Sequence, residues 1–129
     1  MTLNLSNRSR QLIRYRRYYW LLLMAFSPSL LAVPEYELVL KDHLFFPSRI
    51  TIPAGKKVKL IIHNQDDTPE EFDSFSLNRQ KVIFANSKTY IFIGPLRPGE
   101  YDFSGEYNPN SARGTVVVEK ESRGGGDAN

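Results

Sequence analysis

The 129 residues carry 17 Lys and Arg against 14 Asp and Glu, with a sequence pI near 9.2, 41% hydrophobic residues and no cysteine. Five of the basic residues and none of the acids lie in residues 1–32, so the remaining 97 residues hold twelve bases against fourteen acids, a net charge of −2. That balance removes the electrostatic support for nucleic-acid binding, the missing cysteines exclude disulfides, zinc–thiolate sites and thiol catalysis, and 97 residues suffice for one domain with one modest core.

In chain order, Arg8, Arg10, Arg14, Arg16 and Arg17 precede the apolar run "YYWLLLMAFSPSLLA". A basic start, a short apolar stretch broken by Pro28 and a small residue at Ala32 read as a secretory signal peptide over residues 1–32, cleaved after Ala32. The run is too short and interrupted for a comfortable membrane span. The mature protein is expected in the periplasm, without a spanning segment, exported by the general or the twin-arginine route.

Short runs rich in Val, Ile, Leu, Tyr and Phe follow, punctuated by Pro, Gly, Asn and Asp, the pattern of an antiparallel all-β domain. Strands are predicted at Tyr36–Asp42, Arg49–Gly55 and Lys56–Asn64; in the third, Val58, Leu60 and Ile62 alternate with Lys57, Lys59 and His63, which gives one core face and one solvated face. Gln65–Glu71, polar and containing Pro69, is predicted as a loop, with an extended piece around Asp73–Leu77. A strand, an Ala-Asn-Ser turn and a strand over Lys88–Gly94 follow, then a turn at Pro98-Gly99, a strand through Phe103 and a closing strand in "RGTVVVEKE". Residues 121–129 are a Gly-rich tail. Seven to eight short strands in this length predict a two-sheet β-sandwich over residues 33–120.

Chemistry-bearing residues are few. If "TPEEFDSF" is extended, alternation puts Glu71, Asp73 and Phe75 on one face and Glu70, Phe72 and Ser74 on the other. Two acids pointing the same way repel unless a cation or solvent separates them, so they mark a solvated rim or half of a cation site. Glu70 is expected on the solvated rim. His43 lies in the first turn and His63 on a solvated strand face. Two histidines twenty residues apart build no Ser/His/Asp arrangement, and Tyr101 and Phe103 read as core.

"KDHLFFPSRITIPAGKKVKLIIHNQDDTPEEF", "GPLRPGEYDFSGEY" and "ARGTVVVE" together resemble the cupredoxin-like domains of bacterial iron-uptake systems, the EfeO-type domains and the small periplasmic cupredoxins associated with an iron permease. The resemblance runs from Tyr36 to about Glu119 and implies a Greek-key β-sandwich. Cupredoxins hold copper with two His, one Cys and usually a Met, from an early strand and the last loop. Here the last loop offers Gly105, Glu106, Tyr107 and Asn108, so a type 1 copper centre is not expected. What the resemblance implies instead is oxygen chemistry: Glu71, Asp73 and Glu106, with His43, as ligands of an iron ion, since hard cations prefer carboxylates. The implied partner is an iron permease or a periplasmic iron-binding protein. Two other readings stay open: a metal-free interaction module docking to such a partner, and copper-dependent electron transfer or iron oxidation at an atypical site.

Overall fold

A computed structural model describes residues 31–122; most of the predicted signal peptide and most of the predicted tail lie outside the described residues. Nine strands form: β1 Glu35–Lys41, β2 Leu44–Phe46, β3 Arg49–Pro53, β4 Val58–Asn64, β5 Glu70–Ser74, β6 Arg79–Ile83, β7 Lys88–Ile93, β8 Gly99–Gly105 and β9 Arg113–Glu119. They make a four-stranded sheet in the order β2-β1-β4-β7 and a five-stranded sheet in the order β3-β9-β8-β5-β6. No helix occurs among the described residues, and the β-sandwich expected from the strand pattern is the observed architecture.

Period-2 alternation decides which side chains face inward. In β4, Val58, Leu60, Ile62 and Asn64 are buried while Lys59, Ile61 and His63 are half-buried on the outer face. Between the sheets Phe45, Phe72 and Phe103 pack as a trio: Phe72 and Phe103 are stacked at 5.0 Å between centroids, and Phe45 meets the Phe103 ring edge-on at 5.2 Å. Each fully buried ring contributes about 1.5–3 kcal/mol relative to exposure.

Three expectations change. The sandwich is mixed rather than antiparallel, because β1 pairs parallel with β4 and β3 parallel with β9. The extra strand beyond eight is β2, a three-residue partner of β1 across the Asp42-His43 turn. The loop expected at 65–71 stops at Pro69, since Glu70 and Glu71 already pair with Ile83 and Val82 of β6.

Candidate functional site

The site begins where β4 ends. Asn64 is fully buried, and its side-chain amide donates to the carbonyls of Thr68 (2.8 Å) and Ile83 (3.2 Å), while its Oδ1 accepts the Asp66 N–H at 2.9 Å. One side chain thus closes the loop over residues 65–69 and fixes where β5 starts. Asp66, held by that turn, accepts the backbone N–H groups of Asp42 (2.6 Å) and His43 (3.0 Å), and its carboxylate lies 3.5 Å from His43 Nδ1. Both turn residues are left-handed, with φ of 52° and 57°, a conformation in which Asp and His are enriched among non-glycine residues.

Glu70, the first residue of β5, is the correction that matters most. Expected on the solvated rim, it is 1% exposed. Its Oε1 accepts the N–H of Tyr107 (2.8 Å) and of Glu71 (3.0 Å), and its Oε2 accepts the Asn108 side-chain amide at 2.7 Å. All three contacts are donated to it, so the carboxylate serves as an acceptor on both oxygens, and the hydrogen bonds offset the cost of removing it from water. Two of the donors come from the loop between β8 and β9, which closes on itself through Gly105 N–H to the Ala112 carbonyl (2.8 Å) and Ala112 N–H to the Asn108 carbonyl (2.9 Å). A side chain at Gly105 would point into the same space: a Cβ there would lie 2.5 Å from Glu70 Cδ and 2.8 Å from Ala112 Cβ. The sequence carried a signal for this, because alternation puts Glu70 on the face of Phe72 and Ser74, both buried.

The expected site residues do not converge. Glu71 and Asp73 share the outer face of β5, as alternation predicts. Glu106 is exposed, and its N–H donates to the Glu71 carbonyl at 2.8 Å, so those two acids are neighbours through the backbone. Asp73 instead lines an open cleft together with Arg49, Arg113 and Asp102, where guanidinium groups oppose a bound cation. His43 is engaged with Asp66. Among the described residues no three His, Cys, Asp or Glu side chains come together in a way that could hold a metal ion.

Residues 17–118 match the cupredoxin-like domain family. An uncharacterized protein of Rickettsia prowazekii (strain Madrid E) is 39% identical over 84 residues, covering 65% of this chain and 67% of its own length. Among solved structures, auracyanin A, a blue copper protein from Chloroflexus aurantiacus, aligns with a TM-score of 0.60 at 11% identity over 68% of this chain and all of its own. The metal-binding domain of the Streptococcus pneumoniae D39 Cu(I)-exporting P-type ATPase CopA, solved with Cu(I), gives 0.60 at 15% identity over 67% and 85% of the two chains. Amicyanin from Paracoccus versutus gives 0.52 at 21% over 72% and 86%. At these identities the structures establish the fold.

The copper of such relatives does not fit the donors present here. The chain has no thiolate, its last loop has no imidazole, and the space beside Gly105 is taken by the Glu70 carboxylate and by Ala112. Soft and borderline copper sites select sulfur and imidazole, neither of which this loop supplies.

Proposed function

Because the chain belongs to the cupredoxin-like domain family, we propose that it is an exported accessory of iron or related metal uptake that works by docking, having kept the sandwich while protein fills its internal metal position. The observation that carries this reading is the Glu70 carboxylate, buried and saturated by donors from β5 and the last loop. A group satisfied in this way has no incentive to release its partners for an ion.

The outer face of the four-stranded sheet supports docking. Tyr90 and Phe46 are about half exposed at 54% and 51%, and Tyr90 meets Phe92 edge-on at 5.6 Å. Lys57 lies 4.3 Å over the Phe92 ring, and Lys59, 4.9 Å over the Tyr90 ring, also donates to Glu35 at 3.0 Å. Aromatic rings carrying ammonium groups suit a partner that presents carboxylates around an apolar contact. The partner is an iron permease or a periplasmic iron-binding protein with such an acidic surface. Tyr90→Ala combined with Lys57→Glu should abolish co-purification with that partner while leaving the melting temperature within a few degrees of the parent. Retention of the partner by this variant would remove the face from the reading.

A second reading, transient iron binding at the rim, is favoured by the Glu106 N–H to Glu71 carbonyl contact that makes two acids neighbours. Thermal melts with and without ferric citrate, and separately with copper, decide between them. Docking predicts no metal-dependent rise; rim binding predicts a rise that Glu71→Gln with Glu106→Gln abolishes.

A further inference from the structure

The cleft on the outer face of the five-stranded sheet, about 590 Å³ in volume, has walls of opposite charge. Strand register sets the arrangement. Asp73 of β5 stands opposite Ser104 of β8, which stands opposite Arg113 of β9. In the next row on that face Asp102 of β8 stands opposite Thr115 of β9, and Thr115 opposite Arg49 of β3. Acids therefore occupy the β5–β8 side and guanidinium groups the β9–β3 side, with hydroxyls between them.

Each charged group but Asp73 has a partner of its own, and none of those partners is an acid or guanidinium of the facing wall of the cleft. Arg113 Nε donates to the Pro109 carbonyl at 2.6 Å, Arg49 is bound to Glu100, and Asp102 Oδ1 accepts the Thr115 hydroxyl at 2.8 Å. Among the described residues neither Asp73 nor Arg113 takes part in an ion pair. Two strand spacings of about 4.8 Å separate their backbones by about 10 Å, and the Pro109 contact keeps the guanidinium on its own side. Phe75, two residues beyond Asp73, lines the same cleft and is 99% exposed.

We propose that this cleft binds a small zwitterion, an α-amino acid or short peptide carrying an ammonium and a carboxylate. The ammonium lies against Asp73, the carboxylate against the free Nη groups of Arg113, and an apolar side chain covers Phe75. A molecule with both charges satisfies both walls at once, whereas a singly charged one leaves one wall solvated and meets like charge at the other. The volume lies within the range of small-ligand clefts. The inference is separate from the docking role, since it uses the other sheet.

The test is an NMR titration of isotope-labelled protein with leucine, leucyl-leucine, N-acetylleucine and leucine methyl ester, each to about 10 mM, a range that detects dissociation constants down to weak millimolar binding. Saturable shifts centred on Ser104 and Thr115 are expected with leucine or leucyl-leucine, and whichever binds more tightly distinguishes free amino acid from peptide. The two blocked forms, and the variants Asp73→Asn and Arg113→Gln, should each bind at least about tenfold more weakly. Glu37→Gln, an exposed acid of β1 in the other sheet, should bind as the parent does. No saturable shift with either zwitterion, or equal binding of the blocked forms, overturns the proposal.

Discussion

The Glu70 carboxylate accepts the Asn108 side-chain amide at 2.7 Å across 38 residues of sequence, tying the start of β5 to the last loop. Replacing Glu70 by Ala leaves this donor and the Tyr107 N–H without their acceptor, so a loss of about 1–3 kcal/mol for each donor left unpaired is expected. Glu70→Gln should cost only about 1–2 kcal/mol, because the amide oxygen keeps the backbone donors and Asn108 can rotate its own amide to accept from the new NH2. Urea denaturation of the three proteins, read as midpoint at constant slope, measures both. Equal losses for Ala and Gln would show that an amide does not replace the carboxylate as the acceptor of these donors.

Copper-loaded protein should lack an intense band near 600 nm, roughly where copper–thiolate centres absorb. Gly105→Cys with Asn108→His should fail to create one, since Glu70 still occupies the space beside residue 105. Adding Glu70→His replaces the carboxylate by a second imidazole, a ligand of the type copper selects, and a visible band is then expected. Titration with Cu(II) followed by absorbance checks the series, and a band in the Gly105→Cys, Asn108→His protein would show that Glu70 is not the obstacle.

Asp66 holds the Asp42-His43 turn by two backbone N–H groups, so Asp66→Ala should destabilise the protein by about 1–3 kcal/mol. The loss should be local first: amide exchange at Asp42 and His43 should accelerate more than exchange in the β4–β7 pair. Asp42→Gly, at φ 52°, should leave stability unchanged or raise it by up to about 1 kcal/mol by relieving the left-handed conformation.

Gly114→Ala should be disruptive although the residue is half-buried at most. A Cβ there would collide with the Phe103 ring, which is itself clamped by Phe45 and Phe72. Overpacking of this kind costs about 1–3 kcal/mol or more. A melting temperature lowered by several degrees is the expected readout, and an unchanged melt would mean that the aromatic trio repacks freely.

The sequence by itself determined the class of fold, the positions of most strands and which residues of β4 face inward, because alternation of Val58, Leu60 and Ile62 with charged neighbours is a local property of extended chain and needs no partner. It also placed Glu71, Asp73 and Phe75 on one face and Glu70 with Phe72 and Ser74 on the other. It did not reveal that Glu70 is buried as a carboxylate, since whether that burial is tolerable depends on donors contributed by Tyr107 and Asn108, 37 and 38 residues away. Nor did it give the parallel pairs β1·β4 and β3·β9, or the transfer of the chain from the five-stranded sheet at β6 to the four-stranded sheet at β7. Period-2 patterning is the same for either pairing direction and either sheet. The opposed walls of the cleft have the same origin: Asp73 and Arg113 lie forty residues apart and meet only through their common neighbour Ser104, because strand register, which tertiary packing fixes, decides which charges share a row.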